Sequence, residues 1–223
     1  MSTTLAFDVY GTLIDVHGLV VKLESSMGDK AASFSNLWRE KQLEYSFRRG
    51  LMKRYENFSV CTSQALDYAC SHYKISLTAQ EKESLLGTYS QLPVFDDAIS
   101  ALTSLQNADC DLYAFSNGSA QAVDTLLSNA GISNFFIDVV SADEISTFKP
   151  NPAVYEHFIE RSNGTPASTW LISSNPFDVI GAISAGQNAA WLQRSSEQVF
   201  DPWGIEPTIT INSLSEIKDK IVN

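Results

Sequence analysis

Apolar residues follow two rhythms along this chain. A short unbroken run, Leu5-Ala6-Phe7-Asp8-Val9, ends in Tyr10-Gly11-Thr12 and predicts a buried strand that delivers an acidic residue to a tight turn. From residue 16 to 92 the apolar positions recur at helical spacing instead: Phe34, Leu37, Trp38 and Tyr45, then Ala65, Leu66, Ala69 and Tyr73, then Leu85, Leu86 and Tyr89. No run in that stretch predicts a strand. After Pro93 the two rhythms alternate. The pattern predicts a helix near 96–105, a strand at 111–115, a helix at 120–130 closed by Gly131, and a strand at 136–140. A helix at 152–161, a strand at 169–172, a helix at 176–185 before Gly186, and strands at 189–192 and 208–211 continue it. A last helix is expected from Ser213, where Glu216 completes a capping-box pattern.

Alternating strands and helices imply an α/β fold, a doubly wound parallel Rossmann-like sheet with right-handed crossovers, interrupted after its first strand by a helical insertion. The expected division is a core of residues 1–15 and 93–223 and a helical cap of residues 16–92. Such sheets bind ligands at the carboxyl ends of their strands. Asp8, Ser116-Asn117-Gly118 and Ser173-Ser174-Asn175 each follow a predicted strand directly, and the insertion is expected to lie over that edge.

Composition narrows the choice of partner. With 223 residues, 44% of them hydrophobic, the chain can bury a substantial core. Its formal net charge of -11 argues against nucleic acid, which needs a clustered basic surface. The most basic stretch carries Arg39, Lys41, Arg48, Arg49, Lys53 and Arg54, with Glu40 and Glu44 interspersed, and read alone it is a solvated helix face. Absence of a long apolar run and of a signal-like leader leads us to expect no membrane association and a cytoplasmic location. Cys61, Cys70 and Cys110 cannot all pair within one chain and lack CxxC spacing, so they read as free thiols with no metal role.

Phe7-Asp8-Val9-Tyr10-Gly11-Thr12-Leu13 resembles the first signature of the haloacid dehalogenase superfamily, in which the first Asp is the nucleophile. Ser116-Asn117-Gly118, Lys149-Pro150 and Ser173-Ser174-Asn175-Pro176-Phe177-Asp178 resemble the remaining three signatures, in order and spanning nearly the whole chain. The departures point further. Phosphatases of that superfamily place a second Asp two residues after the nucleophile to protonate an alkoxide, and here that position is Tyr10. They also bind magnesium through acidic residues of the fourth motif, where this chain offers only Asp178. Halide leaves as a stable anion without a proton, so Tyr10 is no obstacle to it.

The segments around Tyr10 to Val16, Leu37-Trp38-Arg39, Lys41-Gln42-Leu43-Glu44-Tyr45 and the Ser-Ser-Asn of the fourth motif resemble the L-2-haloacid dehalogenases. That resemblance implies that Asp8 attacks C2 of a small halogenated carboxylic acid to form an ester with inversion, while Arg39, Asn117 and Phe177 cradle the halide. It implies that Ser116 and Lys149 hold the substrate carboxylate and that Asp178 activates water, with Thr12, Ser173 and Asn175 as positioning groups. Tyr155 matches a tyrosine near the site, and Tyr10, Leu43 and Phe58 match apolar pocket positions. No metal or other cofactor is implied, and a homodimer is. Glu40 stands where some relatives have Gln, and Phe177 where some have Trp, which bears on substrate range. Two other readings stay open at this point: a phosphatase or phosphotransferase of the same superfamily, and a non-catalytic binding protein on the same scaffold.

Overall fold

In the computed structural model, which describes residues 2–222, six strands form one sheet. They are β1 (Thr3–Asp8), β2 (Cys110–Ser116), β3 (Asp138–Ser141), β4 (Thr169–Ser173), β5 (Asn188–Leu192) and β6 (Ile209–Ile211), in the spatial order β3-β2-β1-β4-β5-β6 with every neighbouring pair parallel. The doubly wound α/β class expected from the alternation is the observed one. Met1 and Asn223, the outermost residues of the expected core, lie outside the described residues.

A parallel sheet is covered on both faces, which is why its strands read as continuous apolar runs. In β1, Leu5, Ala6 and Phe7 are fully buried. β1 lies where the strand order reverses, with β2 on one side and β4 on the other. The register sets Asp8 beside Phe115 and Phe7 beside Ile172, so the carboxyl ends of all three strands are level. Ligands bind at this switch point in open α/β sheets.

Four helices follow β1: α1 (Gly18–Met27), α2 (Ala31–Leu51), α3 (Phe58–Tyr73) and α4 (Ala79–Thr88), with no strand among the described residues of this segment. Helix α2 buries Phe34, Trp38 and Gln42, spaced four apart on one face. Trp38 Nε1 donates to the Thr62 carbonyl at 2.9 Å and Gln42 Nε2 to Thr62 Oγ1 at 2.6 Å, which ties α2 to α3. Asn57 caps α3, and Thr78 with Glu81 forms a reciprocal capping box on α4. Phe34 and Trp38 join Leu5, Phe7 and Ile172 in one continuous hydrophobic cluster, so the insertion shares its apolar core with the sheet.

The remaining helices are α5 (Ala98–Gln106), α6 (Ala120–Asn129), α7 (Pro152–Ser162) and α8 (Pro176–Ser184); the last two each begin with a proline, whose missing N–H costs nothing at a helix start. One element differs from expectation. The Ser213–Glu216 capping box forms, but it caps a 3₁₀ turn, Leu214–Glu216, followed by a π-helical turn, Lys218–Val222. Asp97 accepts from Ser213 Oγ and from the Leu214 N–H, and Leu214 and Ile217 are buried, so tertiary anchoring overrides the local helical signal. Among the described residues no helix is long and apolar enough to cross a membrane.

Candidate active site

Asp8 closes β1 and is nearly buried, and its two carboxylate oxygens have different surroundings. Oδ2 accepts three hydrogen bonds, from Thr12 Oγ1 at 2.9 Å, Asn175 Nδ2 at 2.7 Å and Ser173 Oγ at 3.2 Å. Oδ1 faces Lys149 Nζ at 3.4 Å. The donors around Oδ2 are themselves held. Thr12 Oγ1 accepts the Ser174 N–H at 2.9 Å, Ser173 Oγ accepts the Asn175 N–H at 3.1 Å, and Ser174 Oγ donates to the Gly11 carbonyl at 2.7 Å. Gly11 has φ +85, and a Cβ there would stand 3.3 Å from Ser174 Oγ and 3.4 Å from Arg39 Nη2, so both its conformation and its neighbours call for glycine.

Lys149 is fully enclosed and sits between two carboxylates. Its ammonium donates to Asp178 Oδ2 at 2.8 Å and to the Phe115 carbonyl at 3.0 Å, faces Asp8 Oδ1, and lies 3.9 Å from the centroid of the Phe115 ring. Its three protons have three acceptors within 3.4 Å, the contact to Asp8 Oδ1 being the longest. Asp178, in the first turn of α8, has no exposed surface. Burial raises its pKa first of all; the Lys149 charge opposes that rise, and the Asp8 charge adds to it. Tyr155 donates its hydroxyl to Asp178 Oδ1 at 2.8 Å and is itself fully buried. Burial and the Asp178 charge hold that phenol well above its ordinary range, so it acts as a fixed donor.

Arg39 reaches the cluster from α2, where Nη2 donates to Asn175 Oδ1 at 3.0 Å. Leu43 and Phe47 continue the same face at four-residue spacing, and the Phe47 ring meets Phe177 edge-on at 5.0 Å. Asn117 Oδ1 accepts the Lys149 backbone N–H at 2.9 Å, and Ser116 Oγ accepts the Gly118 N–H at 3.1 Å. Tyr10 packs its ring against Tyr89 at 5.9 Å, and burial pushes its pKa to about 12. Phe58 stands 6.1 Å from the Phe148 ring. Hydrogen bonds and ion pairs thus join Asp8, Thr12, Arg39, Asn117, Lys149, Tyr155, Ser173, Asn175 and Asp178 in one network, to which the Tyr10 carbonyl adds as acceptor from Asn175 Nδ2 at 3.3 Å, while Leu43, Phe58 and Phe177 reach its surroundings through apolar contact or position.

Three supporting residues were given no role of their own by the sequence. Ser174 clips the fourth motif to the nucleophile loop, as above. Gly181 gives Tyr155 room, since a Cβ there would fall 2.2 Å from the Tyr155 oxygen. An isolated glycine inside a predicted helix is a signal of close approach that could have found it. Arg194 donates to the Thr12 carbonyl at 2.5 Å and to Asp97 Oδ1 at 2.7 Å, and stacks 3.9 Å from Phe95; no local pattern marks it.

Known proteins share this arrangement of chain. The model for haloacid dehalogenase-like hydrolases matches residues 3–186. An (S)-2-haloacid dehalogenase of Pseudomonas sp. (strain YL) is 36% identical over 96% of this chain and 91% of its own. Haloacetate dehalogenase H-2 of Moraxella sp. (strain B) is 35% identical over 96% of this chain and 95% of its own. The solved structure of an L-2-haloacid dehalogenase from Xanthobacter autotrophicus with chloropropionic acid covalently bound superposes with a TM-score of 0.92, at 28% identity and 98% coverage of both chains. With the motifs in order, the sheet in the matching topology and relatives similar over nearly their full length, the chain belongs to the L-2-haloacid dehalogenase family of the haloacid dehalogenase-like hydrolases.

Proposed function

We propose that this chain hydrolyses short-chain (S)-2-haloalkanoic acids to (R)-2-hydroxyalkanoic acids and halide, through an ester on Asp8 and with inversion at C2. The asymmetry of the Asp8 carboxylate carries the reading. Oδ2 is committed to three donors, whereas Oδ1 meets only a 3.4 Å contact and keeps a lone pair for attack. Attack of Oδ1 on C2 forms the carbon–oxygen bond as the carbon–halogen bond breaks, and the halide leaves with its electron pair. Arg39, aided by Asn117 and the Phe177 edge, receives that anion. Ser116 Oγ accepts from Gly118 and keeps its own proton for the substrate carboxylate. The Lys149 ammonium, between the two enzyme carboxylates, supplies the positive charge that draws the substrate carboxylate beside Ser116.

Hydrolysis of the ester uses the same donors a second time. Asp178 accepts a proton from a water that attacks Cγ of Asp8, a base task that suits a carboxylate whose pKa is raised by burial. Negative charge then develops on Oδ2, which already faces the Thr12 and Ser173 hydroxyls and the Asn175 amide, an oxyanion hole present before reaction. Collapse breaks the Cγ–Oδ1 bond, Asp178 returns its proton to the departing oxygen of the 2-hydroxy acid, and the regenerated Asp8 loses one proton to water. Tyr10, a phenol pushed up to about 12, is a poor acid for an alkoxide leaving group and is irrelevant to halide. The names of the relatives support the substrate class. The reading takes residues 16–92 as a cap over the core, and a homodimer comes with it on the strength of the family resemblance.

Halide release from L- and D-2-chloropropionate in EDTA, beside a magnesium-supplemented phosphate-ester assay, tests the proposal. Release from the L-form alone, abolished in Asp8→Asn because an amide is a poor nucleophile, is the expected result. Phosphate release without halide, or full activity in Asp8→Asn, overturns it.

A further inference from the structure

The loop after the nucleophile has a second anchor, outside the polar network. Thr12 donates its hydroxyl to Asp8 Oδ2 at 2.9 Å, and its carbonyl accepts from Arg194 Nη2 at 2.5 Å. Arg194 stands two residues beyond β5, at the carboxyl edge of the sheet, and its side chain is largely buried. Nη1 donates to Asp97 Oδ1 at 2.7 Å, and the guanidinium lies 3.9 Å from the centroid of the Phe95 ring. Both of these partners have ties of their own. Asp97 Oδ2 accepts from Ser213 Oγ at 3.0 Å and from the Leu214 N–H at 2.9 Å, while the Phe95 N–H donates to the Leu13 carbonyl at 3.0 Å. Arg194 Nε is buried without a hydrogen-bond partner among the described residues, so the contacts at Nη1, at Nη2 and with the ring determine where the guanidinium sits.

The two steps of the proposed reaction make opposite demands on the Thr12 hydroxyl. During alkylation, negative charge leaves the Asp8 carboxylate for the halide, so a donor on Oδ2 binds less strongly in the transition state than before it. During hydrolysis charge returns to Oδ2, and the same donor binds more strongly. A displaced Thr12 hydroxyl therefore slows the second step and spares the first. Resting on the dehalogenase reading above, we infer that Arg194 is a positioning residue for ester hydrolysis. Held by Asp97, it fixes the Thr12 carbonyl and so the hydroxyl that stabilises the oxyanion. Its effect on the chemistry passes through Thr12.

The test is a rapid-quench single turnover of L-2-chloropropionate, with halide release reporting alkylation and loss of the Asp8 adduct, followed by mass spectrometry, reporting hydrolysis. In Arg194→Met hydrolysis slows by about ten- to a hundredfold, while alkylation stays within about threefold of wild type. Asp97→Asn keeps an oxygen for Ser213 and Leu214 and turns an amide NH₂ toward Arg194. It shows the same selective loss more weakly, and it carries the test if Arg194→Met does not fold. In a Thr12→Val background Arg194→Met slows hydrolysis no further, because the hydroxyl it positions is gone. Equal slowing of both steps, unchanged rates, or a full additional loss in the Thr12→Val background overturns the inference and leaves the dehalogenase reading standing. A wild-type enzyme that releases no halide overturns that reading, and the inference with it.

Discussion

Replacing Tyr155 by Phe removes one oxygen atom from a fully buried contact and leaves the ring where it packs against Phe115, 5.8 Å between centroids. The lost atom is the donor to Asp178 Oδ1 at 2.8 Å. That bond favours the ionised carboxylate and opposes the rise that burial imposes on Asp178. A hydrogen bond to a charged group contributes about 1.5–3 kcal/mol. Its loss moves the titration up, and ester breakdown at a pH below the limb slows by about ten- to a hundredfold. The sign follows from the role. Asp178 must be ionised to accept a proton from water, so hydrolysis of the Asp8 ester fails as pH falls through its pKa; a higher pKa brings that failure at higher pH. The assay is the pH dependence of ester breakdown in rapid-quench single turnovers of L-2-chloropropionate, wild type against Tyr155→Phe. An acid limb displaced upward, with alkylation little changed at high pH, is expected. An unmoved limb refutes the assignment of Tyr155 as the group that keeps Asp178 ionised.

Asp178→Asn blocks water activation more than alkylation, so mass spectrometry should find the substrate adduct retained on Asp8; slow turnover without an adduct reassigns the base. Lys149→Met leaves two buried carboxylates without their cation, and urea unfolding at neutral pH should show a loss of about 3–5 kcal/mol. That loss shrinks as pH falls and Asp178, whose pKa burial without the opposing Lys149 charge holds higher still, becomes neutral; equal losses at pH 7 and pH 4 contradict the ion-pair account. Gly181→Ala places a methyl 2.2 Å from the Tyr155 oxygen, at an overpacking cost of about 1–3 kcal/mol. Its acid limb should shift as in Tyr155→Phe, and a normal pH profile would mean that the tyrosine contact survives the crowding.

Local pattern was enough to read the sheet, because a covered parallel strand must be apolar throughout and must end in a turn. Leu5 to Phe7, Leu112 to Phe115 and Leu171 to Ile172 announce themselves in this way, and the polar residue that ends each run marks the binding edge. Strand ends moved by a few residues: the run read as 136–140 is Asp138–Ser141, since hydrogen bonding to β2 sets the limits and not hydropathy. The terminal helix was misread for the same kind of reason, Asp97 having claimed the groups that would have extended it. Most residues of the polar network around Asp8 fall in the four motifs, while Arg39 and Tyr155 were singled out only through the family resemblance. Their partnerships were not legible. Lys149 meets Asp178 across 29 residues and Asp8 across 141, and Arg39 meets Asn175 across 136, separations at which no periodicity survives in the chain. Sequence alone determined which side chains arrive at the carboxyl edge of the sheet, because that depends on local patterning. Only the tertiary structure decided which oxygen of Asp8 stays free, where the Lys149 protons point and why residue 181 must be glycine, because those depend on contacts of a few ångströms between segments that only the packing of the sheet and its helices brings together.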